Sequence, residues 1–173
     1  MHRAFVQSMS PTTRRNRFHA GVADLPFNAP HGEVTYGDAF TVQPFGNSLV
    51  TMTLRGDQIK TLLEQQFANC LGQGGFDRIL QVSSGFSYQW SASAACGNKV
   101  SHMALNGAAI DLSASYRVTV NSFLADGGDA STVLKDGTQR LGGAVDVDAF
   151  EAYLQANPSG VAPGAQDRIT RLP

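Results

Sequence analysis

Residues 116–131 (YRVTVNSFLADGGDAS) constrain the fold most, because a β-strand pattern runs directly into a glycine-rich turn. The pair Gly127 and Gly128 permits backbone angles that are closed to other residues, so the chain can turn sharply there. Phe123 and Asp129 can then face a common space, which predicts one wall of a ligand site. The alternative is that Phe123 belongs to the core and that the acidic turn is only solvated.

A second aromatic ring is predicted to lie on a turn in residues 41–55 (TVQPFGNSLVTMTLR). Phe45 stands between Pro44 and Gly46, immediately before a predicted strand. Two rings on rigid turns could form a clamp for a flat π-system, for which stacking contributes about 1–3 kcal/mol per base.

Composition favours a single domain of 173 residues with one hydrophobic core. A net charge of −1 gives no positive electrostatic potential that would attract a nucleic acid polymer or a membrane surface. No apolar run approaches the roughly 18 residues needed to span a bilayer, and residues 1–20 contain no signal-peptide pattern. We expect residues 1–20, which are basic, to be a flexible segment and residues 21–173 to form the domain.

The remaining pattern predicts an α+β domain with mixed β-sheet and two main helices. Its helix at 57–67 places Ile59, Leu62, Leu63 and Phe67 on one face. Residues 33–40 are predicted to form a short strand and then a turn or helical start at Gly37 and Asp38. The other predicted elements are a strand at 79–90 with a bulge or close backbone approach at Ser84 and Gly85, a hairpin at 100–112 turning at Asn106 and Gly107, a polar loop at 133–143, a helix opened by Asp146 and an edge strand at 167–170.

Several motifs, in order and spacing, resemble the C-terminal domain of the 5′-nucleotidase (UDP-sugar hydrolase) family. They are PFGNSLVTMTLRGDQIKTLLEQQF, ILQVSSGFSYQW, LNGAAIDLSASYRVTVNSFLADGGD, VDVDAFEAYL and DRIT. The resemblance extends from about residue 21 to residue 171. It implies an α+β substrate-recognition domain in a family of phosphoric monoester hydrolases, and a nucleoside or nucleotide as its small-molecule partner.

The resemblance also implies roles for particular residues. The nucleoside base would stack between Phe45 and Phe123, and Asp129 would contact the ribose hydroxyls. The same motif makes Asn121, Gly127 and Gly128 candidate substrate-binding residues.

Two departures from the family pattern concern the substrate. The family usually has an asparagine, paired glycines and an arginine ahead of the PFG motif, whereas this chain reads FHAGVADL and has no counterpart of the arginine. Recognition of the phosphate therefore lacks its usual cation. After GGD, Ala130 and Ser131 replace the glycine and aromatic residue that are common in the family.

No catalytic residue and no metal ligand is assigned to this chain. Its histidines do not occur in the Asp-x-His or Gly-Asn-His settings of a two-metal phosphoesterase. In the family, the two divalent metals belong to an N-terminal domain, so we expect no cofactor here and no hydrolysis by this chain alone. A separate metallophosphoesterase domain is the expected partner. The resemblance implies a periplasmic or secreted location.

Two other functions remain open. One is a free-standing ester or phosphoester hydrolase with a rebuilt site, for which Asp126, Asp129, His31 and His102 are the candidate groups. The other is an assembly module that pairs with a separate metal-bearing subunit.

Cys70 and Cys96 flank a segment that reads as loop, strand and loop. They could form a disulfide that ties its ends together, or remain as two buried thiols.

Overall fold

Two β-sheets and four α-helices make up the part of the chain that the structure describes. This computed structural model describes residues 3–7, 34–71, 74–157, 159–160 and 165–173. In chain order the elements are β1 (Arg3–Gln7), α1 (Tyr36–Val42), β2 (Ser48–Arg55), α2 (Gly56–Glu64), β3 (Gln81–Val82), β4 (Phe86–Ser91), β5 (Val100–Leu105), β6 (Ala108–Ala109), β7 (Ser115–Asn121), α3 (Ser122–Ala125), β8 (Thr138–Val145), α4 (Asp146–Gln155) and β9 (Ile169–Leu172). Short 3₁₀ turns lie at Gly128–Ala130 and Thr132–Asp136.

The chain divides into two compact units. The first unit contains Met1–Pro11, Leu49–Gly143 and Gln166–Pro173, and the second contains Thr12–Ser48 and Ala144–Ala165. The first unit holds the hydrophobic core, whereas α1 and α4 pack together in the second. The predicted α+β class is confirmed.

The larger sheet of the first unit has the strand order β3-β1-β7-β2-β8. β2 pairs antiparallel with β7 from Leu49 opposite Asn121 to Arg55 opposite Ser115, and β1 runs parallel to β7. This register places the end of β7, where the glycine-rich turn begins, beside the start of β2.

The smaller sheet has the order β6-β5-β4-β9. The predicted hairpin is confirmed, because Asn106 (φ 52°) and Gly107 (φ 79°) take the left-handed angles of a two-residue turn between β5 and β6. The final strand β9 pairs parallel with β4 and lies at the edge of the sheet, as predicted.

The core surrounds α2, whose apolar face is buried as the 3.6-residue spacing predicted. Ile59, Leu62, Leu63 and Phe67 all belong to the core cluster, together with residues of β2, β4, β5 and β7. The Phe67 ring packs on Trp90 with 5.1 Å between centroids. Phe86 and Tyr88 of β4 belong to the same core cluster, and Trp90 packs against it.

Four predictions of local structure were wrong in part. Helix α1 begins at Tyr36, close to the predicted helical start at Gly37 and Asp38, because Thr35 and Asp38 form a reciprocal capping box; the short strand predicted before it is absent from residues 34–36. Residues 3–7 of the segment expected to be flexible form β1, a strand paired on both sides, and the rest of residues 1–20 lies outside the described residues.

The predicted strand at 79–90 is two strands that belong to different sheets. Gly85 (φ 90°) separates them, and a Cβ there would lie 2.4 Å from the Asn106 side chain, which confirms the predicted close approach. The predicted loop at 133–143 contains a 3₁₀ turn and the exposed edge strand β8, whose composition carries little β signal.

Three consecutive polar side chains at the end of α2 hold three different segments of the first unit. The buried Glu64 carboxylate, the Gln65 amide and the Gln66 amide each accept at least one backbone N–H group. The donors are Gly97 and Val100 for Glu64, Val133 for Gln65, and Leu80 for Gln66. Buried polar groups bonded in this way specify how the loops pack around the helix.

A disulfide joins Cys70 to Cys96, with 5.5 Å between their Cα atoms. This is one of the two states that the sequence left open. It ties the segment after α2 to the connection between β4 and β5. None of the described helices is both long and apolar enough to cross a membrane.

Candidate functional site

The turn that carries Phe123 is built by a helix cap at the end of β7. The Asn121 side-chain oxygen accepts the N–H of Leu124 at 2.8 Å and so starts the single turn of α3. Leu124 and Ala125 then point into the core with no exposed surface, which directs Phe123 outward, and 51% of this residue is exposed. Asn121 is itself buried, so it stabilises the turn from its core side.

The two glycines of the turn are favoured for different reasons, a close contact at Gly128 and the backbone conformation at Gly127. A Cβ on Gly128 would lie 2.5 Å from Cε1 of Phe123, so the phenylalanine ring covers this glycine directly. Gly127 has a left-handed backbone (φ 86°), and a Cβ there would lie 2.5 Å from Cε of Lys135. The glycine pair therefore lets the aromatic ring lie flat against the turn.

Asp129 lies on the same turn and forms an ion pair that the sequence did not reveal. Its Oδ1 is 3.1 Å from Nε of Arg78, and both side chains are less than one-fifth exposed. The Arg78 guanidinium in turn stacks over the Phe76 ring, 4.1 Å from its centroid. Ala130 follows with φ 58°, an angle that suits the glycine common in the family.

Phe45 belongs to the second unit, and its predicted turn is confirmed. The ring is exposed over 64% of its surface, and Gly46 beside it takes φ 62°. Asp146 holds the turn on both sides: its carboxylate accepts a hydrogen bond from Nε2 of Gln43 at 2.7 Å, and its N–H donates to the Asn47 carbonyl at 2.8 Å. The sequence identified Asp146 only as the start of a helix.

Charge and hydrogen bonding around α1 also shift two pKa values. The backbone N–H of Thr35 lowers the pKa of Asp38, and its hydroxyl adds to this effect. Partial desolvation, with the nearby Asp148 carboxylate, raises the pKa of Tyr36. Both shifts reflect local structure and do not mark an acid–base site.

The described groups considered for a rebuilt hydrolase contact different partners. Asp126 is mostly exposed and pairs with Arg140 at 2.9 Å, whereas Asp129 pairs with a different arginine. His102 is exposed on β5, with Nδ1 3.2 Å from the Ser101 hydroxyl. His31 and the FHAGVADL segment lie outside the described residues.

In the part of the chain that the structure describes, no three His, Cys, Asp or Glu side chains are grouped so that they could hold a metal ion. Among the described residues, no group of side chains therefore fits a two-metal centre.

Comparison with known proteins places these features in a family. The pattern that defines the 5′-nucleotidase C-terminal domain matches residues 11–136. The trifunctional nucleotide phosphoesterase protein YfkN of Bacillus subtilis is 32% identical over 148 residues, which cover 82% of this chain and 10% of that protein. The 5′-nucleotidase of Vibrio cholerae is 30% identical over 127 residues, which cover 73% of this chain and 21% of that protein.

Solved structures agree with these matches. The 5′-nucleotidase precursor of Thermus thermophilus superposes with a TM-score of 0.73 at 33% identity, covering 98% of this chain and 31% of that one. The chain thus spans between about a tenth and a third of the proteins described here. From the family pattern, the sequence relatives and the shared fold, the chain belongs to the 5′-nucleotidase C-terminal domain family.

Proposed function

We propose that this chain is a nucleoside-recognition domain in which the base stacks between Phe45 and Phe123. The observation that carries the proposal is the exposed Phe123 ring, held flat on Gly128 by a capped turn in a member of this family. An aromatic side chain so exposed gains little for the fold from its position. A flat base would bury it and gain stacking energy.

Phe45 supports the same proposal from the second unit. Its ring is also exposed, and the turn beneath it is held by two hydrogen bonds to the buried Asp146. Rings on fixed turns lose little conformational freedom when they bind, so they suit a stacking site.

Asp129 is proposed to accept hydrogen bonds from the two ribose hydroxyls. A carboxylate can accept from both hydroxyls of a cis-diol, and its position beside the Phe123 turn would place the sugar next to the stacked base. Asn121 and both glycines act by shaping this turn. The phosphate contributes little to affinity, because the usual arginine has no counterpart in this sequence.

Hydrolysis is proposed to require a separate metallophosphoesterase domain with two divalent metals. This chain matches only part of each relative's length, and its described residues offer no group of three metal-binding side chains. The isolated chain would accordingly bind nucleosides without turning nucleotides over.

A periplasmic or secreted location is proposed on two grounds. The disulfide between Cys70 and Cys96 is of the kind that persists in oxidising compartments. The similar Thermus protein is described as a precursor.

The test is to measure adenosine affinity by calorimetry for Phe123→Ala beside a matched control, Tyr153→Ala. Tyr153 on α4 has the same exposed fraction as Phe123, 51%, and is not assigned to the site. We expect the Phe123 variant to bind roughly 5 to 150 times more weakly, corresponding to one stacking contact. Equal affinity of both variants and the unmodified chain would overturn the proposal.

A parallel assay separates this proposal from the rebuilt hydrolase. Purified chain is incubated with AMP and with a chromogenic phosphate ester, with and without divalent metal. We expect no turnover. Turnover that survives removal of contaminating phosphatase and is lost in Asp129→Asn would favour the hydrolase.

A further inference from the structure

We propose that Arg78 is a positioning residue for nucleoside binding, which holds the Asp129 carboxylate in the orientation that receives the sugar hydroxyls. This inference rests on the proposed function and adds a residue that lies outside the PFG and GGD motifs. The central observation is the ion pair between Nε of Arg78 and Oδ1 of Asp129 at 3.1 Å, with both side chains largely buried.

Arg78 is itself held in place from two directions. Its backbone N–H donates to the carbonyl of Gln66 at 2.8 Å, at the end of α2. Its guanidinium lies over the Phe76 ring, 4.1 Å from the centroid. Its neighbour Asp77 accepts the N–H of Ala68 at 2.7 Å, a second link between this segment and the residues after α2. The Arg78 guanidinium that contacts Asp129 is therefore held in a fixed position.

Asp129 needs such a partner because of its place on the turn. It occupies a left-handed backbone conformation (φ 50°) between Gly128, which lies under the Phe123 ring, and Ala130. A carboxylate on an unsupported turn would sample several rotamers. A charge-assisted contact with a largely buried arginine favours one of them. A carboxylate already oriented in this way loses less entropy when it accepts the diol, which improves affinity.

The experiment compares the binding of adenosine and 2′,3′-dideoxyadenosine to the whole chain. In Arg78→Met we expect adenosine affinity to fall about tenfold and dideoxyadenosine affinity to fall less than about twofold, because only adenosine uses Asp129. Arg78→Lys keeps the cation but loses the planar stacking on Phe76, so its adenosine affinity should lie between that of Arg78→Met and that of the unmodified chain. In an Asp129→Asn background, Arg78→Met should cause no further loss.

Arg140→Met is the matched control. Arg140 pairs with Asp126 on the same turn at 2.9 Å, so this change removes the same charge without touching Asp129. Its affinity for both nucleosides should equal that of the unmodified chain. If Arg78→Met does not fold, judged by thermal melting, Arg78→Gln replaces it. Unchanged adenosine affinity in the Arg78 variant, or an equal loss for both nucleosides, would overturn the inference.

A second readout needs no ligand. Backbone amide hydrogen exchange at Asp129 and Ala130 should be faster in Arg78→Met than in Arg140→Met, and equal rates would overturn the positioning role. If the unmodified chain bound neither nucleoside, the proposed function would fail. The exchange comparison would then decide by itself whether Arg78 holds the turn.

Discussion

Gly128→Ala should displace the Phe123 ring without disturbing the fold, and this makes it the sharpest probe of the aromatic turn. The added Cβ would lie 2.5 to 2.6 Å from three atoms of the ring, far inside van der Waals contact. The ring must therefore move. Since about half of Phe123 is exposed, it can swing outward into solvent instead of pushing into the core.

The expected effects on stability and on binding differ in size. Overpacking costs about 1 kcal/mol at the low end of its range, which applies to a ring free to move outward. Gly128 lies outside the left-handed region, so alanine also restricts the unfolded chain and recovers about 0.4–1 kcal/mol. The free energy of unfolding should change by less than about 1 kcal/mol. A misplaced ring should forfeit most of its stacking, about 1–3 kcal/mol, and weaken adenosine binding roughly 5- to 150-fold.

The assay combines urea denaturation with calorimetric titration of adenosine. Gly142→Ala on β8 is the control, because a Cβ there meets no atom within 4 Å. Adding Gly128→Ala to Phe123→Ala should cause no further loss of affinity, since the ring that the methyl group displaces is gone. Unchanged affinity in the single variant, or a full additional loss in the double variant, would refute the account of the turn.

Three further predictions concern the fold. Glu64→Ala should lower the free energy of unfolding by about 3 kcal/mol in urea, because the buried Val100 N–H and the part-buried Gly97 N–H lose their charged acceptor; a loss below about 1 kcal/mol would contradict this. Reduction of the Cys70–Cys96 disulfide, whose cysteines are 26 residues apart in sequence, should lower the free energy of unfolding by about 3.5 kcal/mol because the unfolded chain gains entropy. An unchanged melting temperature under reductant would contradict this prediction. Burial raises the pKa of Tyr88 above its unfolded value of about 10. The free energy of unfolding should therefore be constant with respect to this group below about pH 10 and fall above it, because only the unfolded chain loses the proton there. Tyr88→Phe should make that fall shallower, and equal slopes in urea titrations at several pH values would refute the assignment.

Local patterns predicted the elements whose periodicity or turn chemistry is complete within a short stretch. The buried stripe of α2, the Asn106-Gly107 hairpin and the outward Phe45 turn are of this kind. Each depends on residues within one helix or one turn, so the local sequence is sufficient to predict it.

Pairing between distant segments could not be read in the same way. Nothing near Asp129 in sequence indicates Arg78, and nothing near the Phe45 turn indicates that Asp146 supports it. The division of β3 and β4 between two sheets likewise depends on strand partners, β1 for one and β5 for the other. The contacts that candidate-site residues make with distant segments are therefore the ones that sequence patterns missed.

The family resemblance assigned Phe45, Phe123 and Asp129 to one function, and that assignment stays a prediction. The structure adds the physical support under two of them: a phenylalanine ring resting on Gly128 and a carboxylate paired with arginine. It also shows Ala130 in a left-handed conformation where the family commonly has glycine. A residue with a Cβ in that conformation carries some backbone strain.

Calorimetric titration of adenosine, and then of AMP, into the purified chain with and without divalent metal measures directly whether the chain recognises a nucleoside base. We expect a dissociation constant in the micromolar to millimolar range that does not depend on metal and is no lower for AMP, as is typical of a base-stacking site without its phosphate cation. Absence of adenosine binding, or binding that appears only with metal or is much tighter for AMP, would contradict this expectation.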